Sequence, residues 1–411
     1  MKTHAHKKLA QNMSKVYSTT AAVNLSFAST PNLSHCRTME VELKSAGAGV
    51  KIHTALIDAS WVTGSDTRKL ATRSPEHVAD HFHDVASLVC TLGEAPLPAV
   101  AILDGMVMGG ALGIGAHASA CVVTERTRMR LLGPQFGFLP ESFASFALSK
   151  LPFPGLGAYL ALTGASLTGP EMADVGLATH TTESHTVPRL HEELSRQRQR
   201  ALGLSLRNLE IRCVELRPDA YDKTHALYYR DQIAECFSQS SVSAILSKLR
   251  AGDSPWHMQA AHCLSLASPL MLALTLETLR RSAALEAERW PSALRTEAVL
   301  CSNVVSRSPD FARGAESLQA TKEALLRQGG ASMARCKAKM NVLHDVAPMQ
   351  ENTAVETAFT QGAANGSNSG IWEHRHAEDV TSDSVAQYFN SEVLGSDVKA
   401  HTVSGEASLQ S

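Results

Sequence analysis

The sequence predicts an α/β fold, and three stretches carry that expectation. Ala99–Leu103 is an apolar run of strand length that empties into a glycine-rich turn and a helical segment, DGMVMGGALG over 104–113. Lys51–Ile57 alternates and then turns apolar, as a central strand does. Ser74–Leu92 places Val78, Phe82, Val85, Leu88, Val89 and Leu92 at helical spacing. A strand that ends in glycines and turns into a helix exposes backbone N–H groups at the helix N-terminus, a setting suited to an oxyanion. No GxGxxG or GxxxxGK[ST] register fits these glycines, which argues against a dinucleotide or phosphate-loop enzyme.

Composition narrows the class. With 411 residues, 44% of them hydrophobic and 19% charged, the chain can bury one large core with appendages. A formal charge of −2 gives no global attraction to nucleic acid, so contact with RNA would need a local patch. The best membrane-span candidate, Ala99–Val123, contains Asp104, His117 and several glycines and reads better as a buried strand with its helix; no membrane partner is expected. The eight cysteines are scattered without a CxxC pair, the pattern of reduced thiols in an intracellular protein, and neither a metal site nor a cofactor is predicted. Residues 1–39 hold Lys2, Lys7, Lys8, Lys15 and Arg37 and no acidic residue, and 1–20 reads as a basic segment for mitochondrial targeting.

Further elements follow in order. Val23–Phe27 is an edge-strand candidate, and Ala118–Val123 and Arg128–Leu132 read as strands. Asp66 is expected to cap a helix. His77 and His81 have the i,i+4 spacing of a metal pair, but no third ligand completes an HExxH-type pattern. With His83 they are assigned to a solvated helix face.

The Met-Gly-Gly turn after the buried strand, Pro134–Pro140 and the AlaLeuThrGly run at 161–164 resemble the enoyl-CoA hydratase/isomerase (crotonase) superfamily, and within it the 3-hydroxyisobutyryl-CoA hydrolase branch. The resemblance extends over most of 20–320, with a remnant at 371–389. It implies a crotonase-like ββα spiral core over 21–200 and a helical C-terminal region over 201–321 that covers the active site. An inserted flexible segment at 322–370 and a terminal Trp segment, helix and tail at 371–411 complete the chain. Within the helical region, Ile233–Leu249 and Ala267–Arg280 resemble family helices, the second with Ser268 as N-cap and Pro269 in its first turn.

By the same resemblance the backbone N–H groups of Ser65 and Gly110 would form the oxyanion hole. The carboxylate that hydratases place three residues after the second hole glycine is replaced by Gly113. Gln135 stands where the branch has a Glu, the loop is two residues shorter before Gly137, and Glu141 falls at the position of the branch's Asp. An amide cannot accept a proton, so Gln135 cannot act as acid or base, and losing a positioned acid–base group costs about 10²- to 10⁴-fold in rate. Glu141 either turns inward and takes the role or lies on the surface at a helix start. Ser142, Phe143, Ala144, Ser145 and Phe146 replace a glycine-rich segment, and the two aromatics are expected to fill space needed by the acyl or pantetheine arm. Arg313 and Glu316 invert the signs of a Glu and Arg found in the family, an arrangement that could keep an ion pair.

These departures lead to the expectation of a hydrolase-like protein with a degenerate active site. The role implied is structural, in the small subunit of the mitochondrial ribosome in the matrix, among mitochondrial ribosomal proteins with limited rRNA contact. The alternative is an active mitochondrial 3-hydroxyisobutyryl-CoA hydrolase of valine catabolism that acts on a CoA thioester through Glu141. An acyl-CoA-binding sensor without turnover is a third reading, which requires an open pocket.

Overall fold

Ala99–Leu103 forms a strand as its spacing predicts, and the main sheet is assembled around it. The computed structural model describes residues 22–26, 54–58, 65, 67–94, 99–118, 120–190, 221–285, 290–316 and 376–389. The basic segment 1–20, Asp66, the insertion at 322–370 and Trp372 lie outside the described residues. The described strands are β1 (Ala22–Ser26), β2 (Thr54–Asp58), β3 (Ala99–Leu103), β4 (Met106–Met108), β5 (Ala120–Val123), β6 (Arg128–Arg130), β7 (Leu167–Thr168) and β8 (His180–Thr181).

Strands β1, β2, β3, β5 and β8 lie in that order and run parallel throughout, with β1 at the edge as expected. Ala101 of β3 pairs with Ile57 on one side and Cys121 on the other. Val100, Ile102 and Leu103 are almost wholly buried, the signature of a parallel sheet covered on both faces. A second small sheet joins β4, β6 and β7. The turn between β3 and β4 is fixed by Asp104, whose carboxylate accepts from Thr124 Oγ1 at 2.7 Å and from Arg126 Nε at 2.9 Å.

The described helices include α1 (Thr67–Leu70), α2 (Pro75–Glu94), α3 (Gly110–His117), α4 (Ala144–Ser149), α5 (Leu156–Thr163), α6 (Gly169–Asp174), α7 (Arg230–Phe237), α8 (Val242–Ala251), α9 (Pro255–Ser265), α10 (Pro269–Ala284), α11 (Trp290–Arg307) and α12 (Ser382–Ala386), and residues 309–316 are also helical. The expected helix over 233–249 is two helices. Its polar run Ser238–Ser241 breaks it: Ser238 Oγ turns back to Ala234 O at 2.6 Å, and Ser241 caps α8 by accepting from Ala244 N. Ser268 caps α10 as predicted, accepting from Met271 N, with Pro269 in the first turn.

The C-terminal helices close over the loop that carries Gln135 and Glu141. Helix α11 packs along α2. Phe82, Phe138, Phe311, Leu270, Leu300 and Val304 share one buried cluster between them. Phe138 lies edge-on to Phe311 with ring centroids 5.5 Å apart. Gly137 is required there: its φ is +71°, and a Cβ would stand 2.1 Å from the backbone oxygen of Asp310. Arg313 pairs with Asp310 at 3.7 Å, so the ion pair expected with Glu316 is replaced by one a helical turn earlier, and Glu316 is exposed.

Candidate active site

The two backbone donors expected to form an oxyanion hole do converge, and the group they meet is a side chain of the same protein. Ser65 N–H donates to Glu141 Oε1 at 2.7 Å, and Gly110 N–H donates to the same carboxylate. Ser65 Oγ donates to Glu141 Oε2 at 2.5 Å. Gly110 opens α3, so the partial positive charge of that helix N-terminus also faces the carboxylate. Glu141 is 3% exposed, which selects the inward orientation and corrects the surface alternative. Burial raises its pKa, and the bonds from Ser65 and Gly110 oppose that rise only in part.

Gln135 does not join this group. It sits in the single turn Pro134–Phe136, and its Nε2 donates to Leu162 O at 2.8 Å, at the end of α5. Its Oε1 is buried with no hydrogen-bond partner among the described residues. Gly113, where the resemblance would put a hydratase's carboxylate, has no room for any side chain, because a Cβ would lie 2.0 Å from Ser142 O.

Two residues of the site were not identified from the sequence. His81 was placed on a solvated face, but it is 4% exposed and its Nε2 lies 2.9 Å from Ser65 Oγ. The available signal was its place three residues after Val78 and four before Val85, on the apolar stripe of α2. His77 is half-buried and His83 exposed, so the solvated-face assignment holds for His83 alone. Burial, with the charge of His77 as a lesser cause, pushes the His81 pKa down to about 4, and the imidazole is neutral at pH 7. Among the described residues no cluster of His, Cys, Asp and Glu could hold a metal ion.

The second is Glu297 on α11, 3% exposed, whose Oε1 accepts from Phe143 N at 2.5 Å and whose Oε2 accepts from Ser145 Oγ. Burial pushes its pKa up to about 7, and the nearby Glu141 charge adds to the rise. Glu297 also lies on a buried stripe, between Leu294 and Cys301.

Two residues that follow Glu141 have a backbone conformation that favours glycine. Ser142 and Phe143 have φ of +59° and +64°, a conformation costing each about 1–3 kcal/mol. The surroundings over-determine it. Phe143 is 1% exposed, stacked on Phe146 at 4.7 Å and on His117 at 5.2 Å, and its N–H is held by Glu297. His117 Nε2 meets Phe143 O at 3.0 Å. Burying a phenyl side chain gives about 2–3 kcal/mol, enough to offset the strain at this residue.

Comparison with known proteins places the chain in a family. The chain is 35% identical over 216 residues to the 3-hydroxyisobutyryl-CoA hydrolase-like protein 1, mitochondrial, of Arabidopsis thaliana, covering 51% of this chain and 53% of that one. It is 30% identical over 236 residues to the 3-hydroxyisobutyryl-CoA hydrolase, mitochondrial, of Xenopus tropicalis, covering 55% and 59%. The chain thus spans just over half the length of these curated relatives. Among solved structures, a carnitinyl-CoA dehydratase from Mycobacterium thermoresistibile superposes with a TM-score of 0.65 at 23% identity, over 89% of this chain and 91% of that one. An enoyl-CoA hydratase from Rhodobacter sphaeroides 2.4.1 superposes at 0.63 with 19% identity, over 90% of each. Both establish the crotonase-like fold. The sequence model of enoyl-CoA hydratase/isomerase matches residues 32–339, three-quarters of the chain, and with the fold and the paired backbone donors it shows that this protein belongs to the enoyl-CoA hydratase/isomerase family.

Proposed function

We propose that this chain is a 3-hydroxyisobutyryl-CoA hydrolase-like protein of the mitochondrion in which hydrolysis has been lost. In this reading it serves as a structural component of the small subunit of the mitochondrial ribosome. The observation that supports the loss is the position of Glu141, whose carboxylate takes both backbone N–H groups and the Ser65 hydroxyl. A thioester carbonyl would have to displace it. A side chain already seated on the donors pays none of the entropy cost that binding an external thioester incurs. The internal carboxylate therefore wins the hole, and Gln135, bonded to Leu162 O, supplies no base. The mitochondrial location follows the relatives' names, and the matrix, with ribosomal proteins as neighbours and little rRNA contact, follows the sequence resemblance and the near-neutral charge.

The test is sedimentation of a mitochondrial lysate containing the tagged protein, with and without RNase, and an assay of 3-hydroxyisobutyryl-CoA hydrolysis in each fraction. Co-migration with the small subunit and no hydrolysis is expected. A slow peak carrying hydrolysis that Glu141→Gln abolishes would overturn the reading. That outcome would establish the alternative, an active hydrolase of CoA thioesters, which draws on the raised pKa of the buried Glu141.

A further inference from the structure

The Ser65 hydroxyl has two polar neighbours, and the family's carboxylate chemistry uses only one of them. On one side is Glu141 Oε2; on the other is His81 Nε2 at 2.9 Å, the separation of a nucleophile and its general base. We propose that Ser65 and His81 form a nucleophile–base pair that accepts an acyl group from a small ester or thioester through an acyl-Ser65 intermediate, and that Glu141 holds this pair silent by occupying its oxyanion hole.

Three observations carry the inference. The base is in place: while Glu141 is present the Ser65 hydroxyl gives its proton to Oε2 and accepts from His81 Nε2–H, and once that carboxylate is removed the neutral ring can turn its Nε2 lone pair to the hydroxyl in its other tautomer. The hole is built around the nucleophile, since Ser65 supplies one of its two N–H donors and Gly110 supplies the other. The Glu141 carboxylate stands where an acyl group would, with Oε1 on the Ser65 N–H, the Gly110 N–H on the same carboxylate, and Oε2 against the attacking Oγ. Ser65 keeps partial exposure, so a small reagent can reach Oγ once the carboxylate is gone.

The steps balance without a co-reactant other than water. Ser65 Oγ attacks the acyl carbon as its proton passes to His81 Nε2, and the oxyanion that forms is held by the Ser65 and Gly110 N–H groups. The C–O or C–S bond to the leaving group then breaks, and the alcohol or thiol departs with the proton from His81. Water attacks the acyl-Ser65 ester with His81 again as base, which releases the carboxylic acid and restores the hydroxyl. This route uses neither Gln135 nor Glu141, so it is independent of the structural role proposed above.

The test uses full-length wild type, Glu141→Ala, Glu141→Gln, and Glu141→Ala combined with Ser65→Ala or His81→Gln. Glutamine keeps an oxygen that can accept from the hole and is expected to keep it closed; alanine opens it. With p-nitrophenyl acetate, Glu141→Ala should release nitrophenol in a stoichiometric burst and gain one acetyl group mapped to Ser65 by peptide mass spectrometry, while Glu141→Gln and wild type stay near background. Adding Ser65→Ala should abolish the adduct, and adding His81→Gln should slow acylation by about 10²-fold or more. A cooperatively folded Glu141→Ala protein with no acetyl on Ser65, or an unchanged burst in the double variant lacking Ser65, overturns the proposal. Should Glu141→Ala not fold, fluorophosphonate labelling of Glu141→Ser, whose short side chain also vacates the hole, decides instead, with Ser65→Ala added in the control. Adduct at Ser65, absent from that control, supports the pair, and no adduct overturns it. Silence of wild type toward 3-hydroxyisobutyryl-CoA bears only on the structural reading, so the two can fail separately.

Discussion

Replacing Glu297 by glutamine should change how stability depends on pH, and the size of the change follows from the burial of this carboxylate. Its pKa rises from 4.5 in the unfolded chain to about 7 in the fold. The sign is that of a raised group: its stabilising contribution is complete below pH 4.5 and is lost as pH rises through 7. At about 1.4 kcal/mol per pH unit, the loss amounts to about 3 kcal/mol. Glutamine can still accept from Phe143 N and donate to Ser145 Oγ, so the two contacts survive without the buried charge. Urea unfolding of both proteins from pH 4.5 to 8 should therefore show near-equal stability at the acid end and an advantage for Glu297→Gln that grows to about 3 kcal/mol at pH 8. His81 works in the opposite sense. Its pKa falls from 6.5 to about 4, so its contribution is present above pH 6.5 and is lost as pH falls through 4. The two trends offset each other in wild type, and removing Glu297 should expose the acid-side decline due to His81. A difference between the two proteins that stays constant across the range, or grows toward acid, would refute the argument.

Three further outcomes follow from the same contacts. Gln135→Glu puts a carboxylate against Leu162 O, where the amide now donates; we expect a loss of about 2–4 kcal/mol in urea unfolding and no hydrolysis of 3-hydroxyisobutyryl-CoA. Ser142→Gly relieves a left-handed residue and should stabilise the protein by about 1 kcal/mol, read as a raised thermal midpoint. Gly113→Ala drives a Cβ to 2.0 Å from Ser142 O, so the loop carrying Glu141 must move; a stability loss above about 2 kcal/mol is expected in calorimetry.

The parts of this protein legible from its sequence are those fixed by local pattern. Ala99–Leu103 could be read as a buried strand because five consecutive apolar residues end at glycines, and Gly110 could be placed at a helix start because that turn lies in one short stretch. Ser268 and Pro269 announced α10 for the same reason. Residues whose neighbours are distant in sequence were not legible. Glu141 meets Ser65 across 76 positions, and Glu297 meets Phe143 and Ser145 across more than 150, so no spacing rule could say whether either carboxylate turns inward. His81 illustrates the point most sharply. Its position on the α2 stripe predicted burial while its side chain predicted solvent, and the choice between them was decided by a hydroxyl on a separate loop.

That conflict between position and side chain is itself informative. Burying an ionisable group costs several kcal/mol unless partners satisfy it, so a His or Glu on an apolar helical stripe implies such a partner. In α2 and α11 the partners are Ser65 and the strained segment at 142–145. Backbone donors such as Ser65 N–H and Gly110 N–H withstand side-chain replacement, because they depend on the path of the chain rather than on residue type. A hole that persists in this way keeps its affinity for an oxygen. Here Glu141 supplies that oxygen, and the fate of the site then depends on whether anything outside the chain can take its place.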